Sequence, residues 1–269
     1  MTTVAHEAPA AGAWRPWDVR AAGAPALGVA DVHVWRVRLD VADAAPRLVR
    51  ECADVLSAAE RARAGRFHAA AHRDRFVVAH GVLRRVLGAY AGREPQALEF
   101  TTGLAGKPAL ADARAGDGGT IEFNLSHSAD LAVVAVARGR AVGVDVERED
   151  AAIEHESLSE HFFSPGECAE LRAVGEAGRV AGFFAAWSRK EAYLKATGEG
   201  ITNGLHHFDV SLAPGAPARL LEDRSDGSAC DRWVMAALDP APGYAGALVV
   251  EAPLDAVRLL DAGPCPAPR

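Results

Sequence analysis

The feature that most constrains this chain is an internal repeat, in which the second half resembles the first at an offset of 107 residues. At that offset, the period-two strand pattern of residues 34–40 aligns with residues 141–147. The helix-capping sequence Ser57-Ala-Ala-Glu60 aligns with Ser164-Pro-Gly-Glu167, and a long apolar helical stripe follows each of them. Three elements that recur in one order predict two similar halves, packed about a pseudo-twofold axis with a cleft between them.

The two halves differ in charge at aligned positions. Asp145 aligns with Arg38 and Glu191 with Arg84, so the second half carries carboxylates where the first carries guanidinium groups. We therefore expect one half to hold a cation and the other an anion.

The patterns along the chain predict an α+β fold in four segments. These are a loosely held N-terminal arm (1–30), an N-terminal half (31–137), a C-terminal half (138–261) and a frayed tail (262–269). Besides the two capped helices, helical patterns cover 73–90 and 182–197, and strand patterns cover 32–39, 121–125, 131–137, 141–147, 233–238 and 245–250.

Composition argues against several classes of protein. The net charge of −7 disfavours general nucleic-acid binding, which needs an excess of basic residues. No apolar run approaches the roughly 20 residues of a membrane span, and the first residues do not read as a signal peptide. The cysteines have the spacing of neither a zinc site nor a disulfide framework, which indicates a reduced, cytoplasmic chain; they are Cys52, Cys168, Cys230 and Cys265.

Lysine is scarce, since only three of the 29 basic residues are lysines: Lys107, Lys190 and Lys195. In a chain that uses arginine almost everywhere, we expect a lysine where the wide, permanently charged guanidinium cannot serve. Two of the three lie within six residues of one predicted helix. The lysines therefore mark places to search for a functional site.

Two acidic motifs predict such a site. Asp145 and Glu147 alternate along one strand and face the same side, and neighbouring carboxylates suit Mg²⁺. The alternative is a solvated strand end. Trp187, Glu191 and Lys195 form one stripe of a helix, which is either functional or an ordinary Glu–Lys surface pair.

Two loops carry groups that can bind phosphate. Lys107 precedes Pro108 in one loop, and Ser126 and His127 lie in a polar turn between two predicted strands. Taken alone, each is more typical of a hydrogen-bonded surface turn.

Together, these segments resemble the Sfp-type 4′-phosphopantetheinyl transferases, in the order and spacing of that family. The matching segments are Lys107-Pro108, Asn124-Leu-Ser-His-Ser128, Gly143-Val-Asp-Val-Glu147, Phe162-Phe-Ser-Pro-Gly-Glu167 and Trp187-Ser-Arg-Lys-Glu-Ala-Tyr-Leu-Lys195. The larger members of the family are pseudo-dimers of two α/β halves, in agreement with the repeat found here. Glu60 departs from the pattern, because some members carry lysine there.

The resemblance implies transfer of 4′-phosphopantetheine from coenzyme A to a serine of an acyl or peptidyl carrier protein, with adenosine 3′,5′-bisphosphate as the by-product. It implies that Mg²⁺ is bound by Asp145, Glu147 and Glu191, and that Glu191, Lys195 and Glu147 are the catalytic groups. It assigns contacts with coenzyme A to Arg75, Lys107, Pro108, Ser126, His127, Lys190 and Lys195.

Two other functions fit the same residues. One is magnesium-dependent hydrolysis of coenzyme A, with water in place of the carrier serine. The other is a non-catalytic carrier-binding module, against which the intact set of Asp145, Glu147, Glu191 and Lys195 argues. Because one chain supplies both halves of the cleft, we expect a monomer, with neither nucleic acid nor a membrane as partner.

Overall fold

A computed structural model describes residues 8–9, 12–40, 46–103, 106–112, 119–200, 204–213 and 215–263, so most of the predicted tail lies outside the described residues. Its helices are α1 (Val19–Ala22), α2 (Pro46–Asp54), α3 (Ala58–Ala64), α4 (Ala70–Ala91), α5 (His155–Phe162), α6 (Pro165–Ala173), α7 (Glu176–Thr197) and α8 (Ala229–Arg232). Its strands are β1 (Arg15–Pro16), β2 (Asp31–Arg38), β3 (Phe100–Thr102), β4 (Pro108–Leu110), β5 (Ile121–Ser128), β6 (Leu131–Arg138), β7 (Val142–Arg148), β8 (Phe208–Val210), β9 (Leu220–Asp223), β10 (Trp233–Leu238), β11 (Tyr244–Glu251) and β12 (Ala256–Asp261). Over these ranges, no helix is long and apolar enough to cross a membrane.

Both halves follow one plan, which confirms the predicted pair of α/β halves. Each begins with a strand (β2 or β7), continues through a capped helix and a long helix, and ends in an antiparallel hairpin (β5–β6 or β10–β11). In both sheets the second hairpin strand lies between the other two, giving the orders β2-β6-β5 and β7-β11-β10. The repeat in the sequence is therefore a repeat in sheet topology.

The two sheets pack face to face, because alternate strand residues are apolar on one side. Val142, Val144 and Val146 of β7 are fully buried there, in one cluster with Val32 and Val34 of β2. The opposite face of each sheet packs against its own long helix, α4 or α7. The result is a helix–sheet–sheet–helix arrangement, in which residues beside Val144 on β7 face α7.

Both predicted capping boxes form, with Ser57 and Glu60 at α3 and Ser164 and Glu167 at α6. The long helices α4 and α7 each span 22 residues and end at a glycine in the left-handed conformation. That glycine is Gly92 in α4 and Gly198 in α7. These helices are related by 106 residues, so the gapless offset of 107 is wrong by one along them. The link from α6 to α7 is three residues shorter than that from α3 to α4, while α6 is two residues longer than α3.

The chain ends do not follow the predicted segments. In the predicted arm, β1 pairs with β12, and Trp17 and Leu27 pack against the first core. Strand β12, placed by the prediction in the C-terminal half, pairs in parallel with β2 of the first sheet. The richness of the arm in Ala, Gly and Pro concealed its apolar anchors.

Candidate active site

The acidic residues lie between β7 and α7. Asp145, only 2% exposed, and Glu147 project from the face of β7 opposite its buried valines. Gly143 lets the helix rest directly on the strand, since a Cβ at this position would lie 2.0 Å from the carbonyl oxygen of Ala192. This close approach brings Nζ of Lys195 to 2.5 Å from Oδ1 of Asp145.

Side chains of β5 bridge the two halves at the same place. Ser126 Oγ donates to Oδ1 of Asp145 at 2.7 Å, and Ser128 Oγ donates to Oε2 of Glu147 at 2.8 Å. Two residues before Ser126 on β5, Oδ1 of Asn124 accepts a hydrogen bond from the backbone N–H of Val144 at 2.9 Å. The edge of the first sheet therefore holds the carboxylates of the second in place.

The carboxylate cluster is short of positive charge. Burial raises the pKa of Asp145, Glu147 and Glu191, and Asp145 raises the pKa of the other two further by like-charge repulsion. Lys195 opposes these shifts and also donates to Ser126 Oγ at 3.0 Å. Oδ2 of Asp145 and Oε1 of Glu191 are nevertheless buried without a hydrogen-bond partner in the described part of the chain.

These groups suit Mg²⁺ in their chemistry, although they do not form a complete cage. Among the described residues, no three acidic, histidine or cysteine side chains are arranged to hold a metal ion. Mg²⁺ needs only one or two carboxylates, because water and substrate phosphate oxygens complete its shell. The two buried oxygens without hydrogen-bond partners among the described residues, on Asp145 and Glu191, could coordinate such an ion.

A second cleft, of about 450 Å³, is lined by several basic residues of the first half. It is lined by Arg63, His72, Arg75 and His127 together with apolar side chains. Burial and the nearby Lys195 lower the pKa of His127, which favours its neutral form. The predicted pair Arg75 and His127 is thus brought together, in surroundings that suit an anion.

A third cleft, of about 230 Å³, lies between the loop that contains Lys107 and helix α7. Lys107 and Pro108 line it together with Glu191 and Lys195. The ammonium of Lys107 donates to the carbonyl oxygen of Val142 at 2.9 Å, and burial lowers its pKa. Lys107 therefore anchors the start of β7 and contributes its stem to the wall of the cleft.

Lys190 is not part of this site, which corrects its assignment to coenzyme A. Its side chain is completely buried and forms an ion pair with Glu167. It also donates to the carbonyl oxygens of Leu205 and Phe208, at 2.8 and 2.5 Å. Lys190 precedes Glu191 by one position, about 100° around the helix, and so faces the core while Glu191 faces the cleft.

Arg84 has the same role in the first half. It is 2% exposed, donates to Glu60 at 2.7 Å, and donates to the carbonyl oxygens of Pro95 and Leu98. The counterpart of Arg84 is therefore Lys190, as the 106-residue relation of the long helices requires. Glu60 is used in this ion pair with Arg84.

Several residues of the site were missed by sequence reasoning. Arg63 was visible only as one of a run of arginines, and nothing distinguished His72. Ser128 lay inside the polar turn, but its bond to Glu147 depends on the contact between the two sheets. Gly143 was visible as part of a motif, without the helix that makes it necessary.

Comparison with known proteins now identifies the class. The 4′-phosphopantetheinyl transferase superfamily model matches residues 141–249, and the model of the N-terminal region of a 4′-phosphopantetheinyl transferase matches residues 46–139. The chain belongs to the 4′-phosphopantetheinyl transferase superfamily.

Individual relatives carry the same name. The chain is 42% identical to 4′-phosphopantetheinyl transferase HetI of Nostoc sp., over 71% of this chain and 78% of the relative. It is 38% identical to a phosphopantetheinyl transferase of Thraustochytrium sp., over 57% of this chain and 55% of the relative. It is 31% identical to 4′-phosphopantetheinyl transferase psf-1 of Bacillus pumilus, over 65% of this chain and 72% of the relative.

Proposed function

We propose that this enzyme transfers the 4′-phosphopantetheine group of coenzyme A to a serine of an apo carrier protein, with Mg²⁺ as the metal. The observation that carries the proposal is the cluster of Asp145, Glu147, Glu191 and Lys195 between β7 and α7, which β5 of the first half supports. Phosphoryl transfer needs positioning and charge neutralisation more than covalent chemistry from the protein, and this cluster supplies both.

The residues divide the work by position. Bound Mg²⁺ would neutralise the pyrophosphate of coenzyme A and polarise its phosphorus, held by Asp145 and Glu191 with Glu147 beside them. The serine oxygen attacks that phosphorus, the bond to the adenosine 3′,5′-bisphosphate breaks, and the serine proton passes to Glu191 or Glu147, directly or through water. Lys195 offsets the charge that develops on the leaving bisphosphate.

The two other clefts accommodate the rest of coenzyme A in this proposal. Arg75 and His127 bind the 3′-phosphate, with Arg63 as a further cation on the same wall. Lys107 and Pro108 line the adenine side, and Ser126 lies near the pyrophosphate. The carrier protein then approaches the cleft from outside, and we propose that one cytoplasmic chain is the working unit.

Intact-mass spectrometry of an apo carrier protein with coenzyme A and Mg²⁺ tests the proposal. The expected result is a mass increase of one phosphopantetheine arm, which is lost in Asp145→Asn. Rapid release of the bisphosphate from coenzyme A without any carrier would favour the hydrolase instead. Binding of carriers without modification of any of them would favour the non-catalytic module.

A further inference from the structure

The cleft lined by Arg75 and His127 has an ion pair on one wall, and the acidic member of that pair has no role in the proposed reaction. Nη2 of Arg75 donates to Oδ1 of Asp130, and both side chains are about one third exposed. In the described part of the chain, Nε and Nη1 of Arg75 make no further hydrogen bond. Asp130 therefore holds one edge of the guanidinium and leaves the other donors for a ligand.

Asp130 is itself firmly held. It occupies the two-residue turn between β5 and β6, where its carbonyl oxygen accepts from the backbone N–H of Leu39 at 2.8 Å. Its own N–H donates to the hydroxyl of Tyr244, which belongs to the second half. Both halves of the molecule thus fix this turn relative to the cleft.

The turn also contains a strained residue. Ala129 has a φ of +48°, and it is the one non-glycine residue with positive φ in the ranges the structure describes. L-residues rarely adopt this conformation, and where they do the surroundings must impose it. Because Ala129 lines the cleft and lies between Ser128 and Asp130, a strained turn is retained at the proposed ligand site.

We propose that Asp130 is a positioning residue that orients Arg75, and that it thereby sets the preference for coenzyme A over 3′-dephospho-coenzyme A. The proposal rests on the proposed function, which places the 3′-phosphate at Arg75 and His127. A free arginine side chain loses much rotational freedom when it binds a phosphate, and a guanidinium already fixed by a carboxylate loses less. The benefit appears only with a ligand that carries the 3′-phosphate.

A carboxylate beside the cleft also has an opposing effect, because it repels a phosphate. Two arginines line the cleft, and the carboxylate of Asp130 is already bonded to one of them, so its charge is largely offset before a ligand arrives. The two effects predict opposite changes in preference when Asp130 is removed, and the experiment therefore distinguishes them.

The test compares kcat/KM for coenzyme A with that for 3′-dephospho-coenzyme A. In Asp130→Ala the ratio is expected to fall by about tenfold, with turnover of 3′-dephospho-coenzyme A nearly unchanged, and Asp130→Asn should recover part of the ratio because its amide oxygen still accepts. The matched control is Asp226→Asn, which removes a charge from an equally exposed carboxylate paired with Arg232 and should leave the ratio unchanged. An unchanged or increased ratio in Asp130→Ala overturns the inference.

A binding measurement separates this inference from the proposed function. Calorimetric titration with adenosine 3′,5′-bisphosphate and with adenosine 5′-monophosphate gives a ratio of binding affinities that reports the same preference without any transfer reaction. If Arg75→Ala lowers that ratio and Asp130→Ala does not, the positioning role is wrong while the 3′-phosphate site stands. If Arg75→Ala does not lower it, the 3′-phosphate has been placed at the wrong cleft, and the role of Asp130 fails with it.

Discussion

Nζ of Lys190 lies 2.8 Å from Oε2 of Glu167 at a point where neither side chain reaches the solvent. All three N–H groups of the ammonium are used, because it also donates to the carbonyl oxygens of Leu205 and Phe208. Glu167 is equally satisfied, through the backbone N–H groups of Ser164 and Val210. This pair ties α7 to the start of α6 and to β8, and so fixes the rotation of the helix that carries Glu191.

Replacing Lys190 by methionine should therefore impair folding rather than binding. Glu167 would be left buried and unpaired, at a cost of about 3–5 kcal/mol in the free energy of unfolding, measured by urea denaturation. The KM for coenzyme A of the folded fraction should stay within about twofold. The double variant Lys190→Met/Glu167→Gln should lose less than the two single changes added together, and strict additivity would contradict the buried pair.

Lys195→Arg tests whether lysine itself is needed in the cleft. A guanidinium keeps the positive charge but is too wide to fit between Asp145 and Ser126 in the same way, and it cannot pass on a proton. We expect kcat to fall by about tenfold or more, with a smaller change in KM for coenzyme A. Full turnover in this variant would show that charge alone suffices.

Ser128→Ala should remove a hydrogen bond that holds the Glu147 carboxylate in place. Without the hydroxyl, Glu147 loses a 2.8 Å bond that fixes its carboxylate beside Asp145. The Mg²⁺ concentration for half-maximal activity should rise by about tenfold, since groups that orient metal ligands have effects of that order. Ser128→Thr should restore it, and Ser188→Ala, which removes a hydroxyl bonded to Ala185 within α7, serves as the control.

His33 should make the fold sensitive to acid. Burial, and secondarily Arg258, lower its pKa to about 4, so the folded chain holds this imidazole neutral. The unfolded chain takes up the proton below its ordinary pKa near 6.5, so stability is lost as the pH falls from about 6.5 towards 4, by up to about 3 kcal/mol for this group.

The check is the free energy of unfolding at neutral pH and at pH values approaching 4, in the native chain and in His33→Phe. His80, whose pKa burial also lowers to about 4, remains in the variant and keeps part of the acid sensitivity. A decrease of the same size in both chains would assign the effect to other groups.

Gly143→Ala should destabilise the contact between β7 and α7. A methyl group 2.0 Å from a helix carbonyl cannot be accommodated without separating the two elements, at a cost of about 3 kcal/mol or more. Gly65→Ala is the matched control, because Gly65 has helical φ and ψ and its nearest neighbour would lie 3.6 Å from the new Cβ. That control should be neutral or slightly stabilising by thermal unfolding.

The sequence correctly predicted the helices and strands that are determined by residues close together in the chain. Both capping boxes follow from serine and glutamate three residues apart, and β7 from alternating valines, so these elements form as expected. The helix α2 was missed because only Leu48 and Cys52 are buried on it, which is too narrow a stripe to detect.

The part that could not be predicted depends on contacts between distant residues. The sequence placed Glu191 on one helix stripe with Lys195 but left the position of Lys190 open. Its burial depends on contacts with the segment that contains Leu205 and Phe208. Strand β12 was not predicted, and its partner β2 lies more than 200 residues earlier, a distance over which periodicity carries no information about pairing.

The return of β12 to the first sheet has a consequence for synthesis. A ribosome delivers residues in order, so β2 acquires its parallel neighbour only when residues 256–261 have emerged, after the whole second half has been made. The first half therefore cannot complete its sheet while the second is still being translated, and the two do not mature as independent units. A nascent chain that stops short of β12 leaves one edge of β2 unpaired and open to pairing with other chains.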